Sequence, residues 1–218
     1  MMMEGDVNAR WTRRRVIAGA LLTLGVACVA VQAQTRDEVR KIIEGLAPGE
    51  SATVGPVTYT LRQRTTGAPG ADGWYRVRSL GAGFTVAQPA PYAELTTTGP
   101  TTDGGQLDSH TVAGTGVAGV RFNATCMKRR DGKPMPGNVA DVARGLEARG
   151  TVLRRWQVAH GALGGVGLEL ATPSGAHFRG EFFAGRGLLC QMTVESPAGE
   201  AADVVVQSAR YFASFVLD

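Results

Sequence analysis

Histidine and cysteine are scarce in this chain, three of each among 218 residues, and only 6% of its side chains are aromatic. None of His110, His160 and His177 lies three or four residues from another His, Cys or carboxylate in a helical stretch, so no pair is set to converge on a metal. Neither a metal nor a cofactor is expected. The Gly-x-Ser-x-Gly elbow of serine hydrolases is missing. Ser109 and His110 are adjacent in a strand-like run, where neighbouring side chains point to opposite faces. That excludes a direct relay between them and leaves His110 a structural or solvated role. The glycine-rich run 161–167 lacks the Lys-Ser/Thr ending of a phosphate loop and leads into a strand instead of a helix, so it reads as a flexible hairpin connection. An excess of one charge is lacking too. Without residues 1–33 the chain keeps 19 basic and 17 acidic side chains, a net charge near +2. Nucleic-acid binding needs a concentrated basic face, and none is indicated.

What the chain does have, first of all, is an address. Arg10, Arg13, Arg14 and Arg15 precede an apolar run from Val16 to Val31 broken only by Thr23, and Val31-Gln32-Ala33 offers a small residue for cleavage. Residues 1–33 are read as an export signal, with the mature chain starting near Gln34 in the periplasm. The stretch Thr12-Arg13-Arg14-Arg15-Val16-Ile17 also resembles the twin-arginine pattern, so both that route and general secretion fit. Two other fates stay open. The apolar run is just short of the roughly 17–25 residues that span hydrocarbon, and uncleaved it would serve as a membrane anchor. Cys28 follows Gly25-Val26-Ala27, which lacks the Leu usual at a lipidation site. Residues 34–218 have the length of one domain, enough to bury a core without metals or multiple staples.

Cys126 and Cys190 are the two cysteines beyond the signal, and an even count in an oxidising compartment suggests a disulfide. Val120, Phe122, Ala124 and Cys126 alternate with polar residues, as do Leu188, Cys190, Met192 and Val194, so both sulfurs are expected to point at one core. Two separate buried thiols are the alternative. Lys128, Arg129, Arg130 and Lys133 surround Asp131-Gly132 in a basic loop. Such a run is usually just solvated; its functional reading is a contact for an acidic envelope protein or an anionic lipid headgroup.

Periodicity organises the rest. Val39, Ile42, Ile43 and Leu46 recur at helical spacing, ended by Pro48-Gly49. Residues 54–64 alternate like a strand with one wet face, and 74–78 and 84–87 are short strands around Gly81-Ala82-Gly83. Three alternating segments, 92–98, 106–113 and 119–127, are separated by glycine-rich joints, as in an antiparallel meander. Asn138 is placed to cap a helix bearing Val139, Val142 and Leu146, with Gly150 expected in the left-handed closing position. Strand-like runs follow at 152–159, 165–171, 176–183 and 187–195. A final helix over 200–215 carries Val204, Tyr211, Phe212 and Phe215 on one stripe.

Trp74 followed by Gly83-Phe84-Thr85-Val86 and Pro89, then Gly165-Val166-Gly167-Leu168-Glu169-Leu170, Arg179 and Ser214-Phe215, resembles the signposts of PsbP-like exported proteins over about residues 70–218. The resemblance implies an α+β sandwich, a central antiparallel sheet flanked by helices, and a role in supporting or docking onto other proteins. Residues 50–66 lie outside that pattern. The expected function is an exported, non-catalytic binding or accessory protein of the bacterial cell envelope. The competing expectation is an envelope hydrolase whose catalytic groups meet from distant strands. Oligomeric state is not readable from these residues.

Overall fold

Alternation of side chains builds nearly everything in the computed structural model, which describes residues 36–65, 67–135, 137–197 and 202–218. The stretch read as an export signal, with Arg13, Arg14, Arg15, Cys28 and Ala33, lies outside the described residues. After helix α1 (Arg36–Gly45) come strands β1 (Ser51–Val54), β2 (Val57–Arg64), β3 (Tyr75–Arg78), β4 (Phe84–Gln88), β5 (Tyr92–Pro100), β6 (Gln106–Thr115) and β7 (Arg121–Arg129). Helix α2 (Val139–Glu147) leads into β8 (Thr151–His160), β9 (Leu163–Ala171), β10 (His177–Gly185) and β11 (Leu188–Ser196). Helix α3 (Ala202–Ala213) and β12 (Val216–Leu217) close the described chain.

Nine strands form one antiparallel sheet in the order β1-β2-β5-β6-β7-β11-β10-β9-β8. The two meanders, β5 to β7 and β8 to β11, are joined where β7 pairs with β11. A second, three-stranded sheet has the order β12-β4-β3. One face of the large sheet presents Phe122, Ala124, Cys126, Phe183, Cys190, Met192 and Val194. Val204, Tyr211, Phe212 and Phe215 from α3 and its C-terminal flank, with Val77, Phe84 and Val86 of the small sheet, complete that core. The stripe read on the last helix thus does cover the sheet, but it shares the task with a second sheet.

The opposite face carries two apolar patches. At one end Val39 and Ile43, one helical turn apart on α1, pack on Val54, Val57, Tyr59 and Leu95. The Arg64 guanidinium donates to the Ile43 and Glu44 carbonyls at 3.2 and 3.4 Å, satisfying the helix end. Towards the other end Val142 of α2 meets Leu107, Met127, Leu168, Leu170, Phe182 and Leu189. Asn138 caps α2 as expected, its side chain accepting from the Asp141 N–H while Asp141 accepts from the Asn138 N–H. Between the patches runs a buried polar band, Ser109, Thr111, Asn123, Thr125, Gln191 and Thr193. Thr111 and Thr125 bond across the strands at 3.0 Å.

These observations correct several expectations. Among the described residues the protein is mostly β, twelve strands against three short α-helices, and is not a helix-flanked α+β sandwich. Helices of 9 to 12 residues cover local patches and do not form layers. Alternation shows which residues of a strand share a face but not which sheet the strand joins: the strands at 74–78 and 84–87 were expected in the central sheet and instead form the small one. Within the stretch unplaced by the sequence, Ser51–Val54 and Val57–Arg64 make the β1–β2 hairpin, with Gly55 at φ 57 starting its two-residue loop, and β2 pairs with β5. Gly150 is not left-handed. Ala148 ends α2 in the right-handed region, and a Cβ at Gly150 would lie 2.4 Å from the Ala171 carbonyl oxygen, so close backbone approach is what requires glycine there. The glycine-rich run is a strand from Leu163 onward, with only Gly161-Ala162 as the turn. No helix among the described residues is long and apolar enough to cross a membrane.

Candidate functional site

The disulfide forms: Cys126 and Cys190, both with no exposed surface, are register partners on β7 and β11. The basic loop is largely neutralised from within. Arg129, its side chain only 2% exposed, forks between Asp103 (2.6 Å) and Asp131 (2.5 Å). Hydrogen bonds from Thr101 and from Arg129 hold the Asp103 carboxyl down at about 2, and Arg129 holds Asp131 well below the usual range. Arg130 pairs with Asp108 at 2.8 Å, and Lys133 lies 3.9 Å from Asp131. The Lys128 ammonium donates to the Gly81 carbonyl at 3.5 Å. Arg129 and Arg130, two of the four cations in that run, are therefore held by aspartates at hydrogen-bond distance.

The histidines are drawn to separate places. Ser109 and His110 do point to opposite faces: Ser109 joins the polar band, and His110 is buried beneath the β3–β4 turn. His110 Nδ1 lies 3.0 Å from Thr96 Oγ1, which accepts from Arg62 Nε at 2.9 Å. A Cβ on Gly81 would come within 2.1 Å of that Nδ1, so the turn fits only as glycine. Burial, reinforced by repulsion from Lys128, pushes His110 down to about 4, and it is neutral near pH 7. Beside it the fully buried Glu94 accepts from Ser79 Oγ (2.7 Å), Leu80 N (2.8 Å) and Gln63 Nε2 (2.6 Å), pinning the turn to the sheet. His177 Nε2 meets Glu169 at 3.0 Å, and His160 Nε2 meets Glu181 at 2.8 Å. Among the described residues no three His, Cys, Asp or Glu side chains gather as a metal site.

An open concave surface lies on the small sheet. Register pairs Arg76 with Ala87 and both Arg78 and Val216 with Thr85, turning these side chains away from the core that Val77, Phe84 and Val86 enter. A cleft of about 600 Å³ opens there. Its lining combines the small Thr85, Ala87 and Ser214 with Trp74, Tyr92, Arg76 and Arg210. The Arg210 guanidinium stacks 4.4 Å from the Trp74 ring centre and pairs with Asp72. Asp72 also accepts from the Trp74 N–H, which with Arg210 holds its carboxyl below the ordinary value. Arg76 makes no ion pair among the described residues. Tyr75 meets Tyr92 edge-on, ring centres 6.0 Å apart.

Sequence reasoning missed this cleft because its members come from four separate stretches. Asp72-Gly73-Trp74 carried a signal, a turn that delivers an aromatic beside an acid, but nothing in the sequence connects it to Arg210. Chemically the cleft offers flat aromatic surface, one unpaired guanidinium and one held in place, which suits recognition more than bond-making. Comparison of the chain with protein-family models, with curated proteins and with solved structures found no match.

Proposed function

We propose that this chain is an exported, non-catalytic binding protein of the bacterial cell envelope, and that the cleft on its small sheet receives a protein partner. The observation that carries this reading is the convergence of Trp74, Tyr92, Arg76 and Arg210 on one accessible cleft. Trp, Tyr and Arg are the side chains that most often dominate protein interfaces, because they combine large contact area with hydrogen bonding at low entropic cost. The Arg210–Trp74 stack and the Asp72 bonds fix this surface before a partner arrives, which limits the ordering cost of association. The unpaired Arg76 favours a partner with an acidic side chain.

A hydrolase reading has its nearest support in the Thr96–His110 pair, yet Thr96 is only 3% exposed and its oxygen already accepts from Arg62. The test compares envelope extracts passed over the full chain and over a Trp74→Ser, Arg76→Glu variant. A protein retained by the first and lost by the second, with both equally folded, supports the reading. Identical retention by both overturns it. Export itself is checked by the N-terminal residue of protein recovered from the periplasm, expected near Gln34.

A further inference from the structure

A second cavity, of about 300 Å³, sits at one end of the large sheet, between the β8–β9 turn, the β10–β11 turn and the C-terminal strand. Its lining includes His160, Leu163, Arg186, Phe215 and Leu217. The imidazole is fixed. Glu181 receives His160 Nε2 at 2.8 Å and Trp156 Nε1 at 3.2 Å, and the ring packs on Phe183 and Phe215 at centre distances of 4.4 and 5.4 Å. His160 is thus tied through Nε2 to Glu181. Nδ1 has no hydrogen-bond partner among the described residues.

Arg186 is the unexpected member. With Gly187 it forms the two-residue loop between register partners Gly185 and Leu188, and both loop residues have positive φ, 51 and 75. Such loops take Asn, Asp or Gly, whose left-handed conformation is cheap, whereas a long side chain at that position is disfavoured. Arg186 forms no ion pair among the described residues. A strained, unpaired guanidinium beside a cavity is a position better explained by a ligand than by the turn.

We propose that this cavity binds a small monocarboxylate with an apolar tail. The Arg186 fork receives the carboxylate, and Leu163, Phe215 and Leu217 cover the tail. His160, held by Glu181, forms one polar edge of the site. The site adjoins the cleft on the small sheet, since Val216 lines both, but it requires no protein partner there.

The experiment titrates the full chain with hexanoate, followed by NMR chemical shifts, alongside hexan-1-ol and inorganic phosphate. Saturable hexanoate binding with shifts at Leu163, Arg186 and Leu217, at least tenfold tighter than either control, is expected. Arg186→Gly and Arg186→Asn both suit the turn, so each should melt at or above the wild-type temperature while weakening hexanoate at least tenfold. The proposal is overturned if hexanoate does not bind the wild type, if hexan-1-ol or phosphate binds as well, or if the two variants bind hexanoate undiminished.

Discussion

Cys126 and Cys190 stand directly opposite each other on neighbouring strands, Cα atoms 4.1 Å apart, and their disulfide joins the two meanders of the large sheet. The bridge spans 64 residues, so on the chain-entropy model it removes roughly 4 kcal/mol of unfolded-state freedom. Replacing both cysteines by Ala should lower unfolding stability by about 2–4 kcal/mol in urea denaturation. A thiol count on denatured, unreduced protein should find neither sulfur free. Two reactive thiols from these positions would contradict the bridge.

Acid should weaken the protein through His110. Its folded value, pushed down to about 4 by burial, lies below the ordinary value of 6.5, so between those pH values the unfolded chain binds the extra proton. Stability is therefore complete above pH 6.5 and declines as pH falls towards 4. His110→Asn has no charge to gain and should flatten the curve in that window. Parallel curves for the two proteins would show that His110 is not the cause.

Trp156 lies flat over Gly167, where a Cβ would come 1.8 Å from the ring. The indole also stacks with Arg154 and Arg179, at 5.7 and 5.2 Å, and donates to Glu181. Gly167→Ala must expel the ring, at a cost of about 1–3 kcal/mol. Tryptophan emission should shift to the red in the same variant, and an unchanged spectrum would mean the ring had not moved.

Thr115 is 6% exposed and its hydroxyl has no hydrogen-bond partner among the described residues. Thr115→Val keeps the branched shape a strand prefers and removes the unsatisfied group, so a gain of about 1 kcal/mol is expected in thermal or urea unfolding. A loss of stability would place a bound water or an undetected partner at that oxygen.

Local features of this fold were legible in the sequence, and its assembly was not. Alternation located the β5, β6 and β7 strands and the β8 to β11 strands to within a few residues, and the Asn138 cap was correctly placed, because these depend on neighbours along the chain. The membership of β3 and β4 in a separate sheet depends on Val216 and Leu217 returning from more than a hundred residues away to pair with Thr85 and Phe84. Two residues are too short a run to signal a strand. The ion pairs of the basic loop were hidden for a similar reason: Asp103 and Asp108, which pair with Arg129 and Arg130, arrive from the loop before β6 and from β6. Trp74 was visible as a landmark, whereas its stack with Arg210 exists only once α3 is folded against the small sheet.

The central claim, that the cleft on the small sheet is the surface used by a partner, is tested most directly by site-specific photocrosslinking in the cells that make the protein. A crosslinking residue at Thr85, inside the cleft, is compared with one at Arg149, on the far side of the molecule beyond α2. The account predicts a reproducible protein adduct from position 85 that disappears when Arg76→Glu is added, and none from position 149. Adducts of equal yield from both positions, or none from position 85, would contradict it.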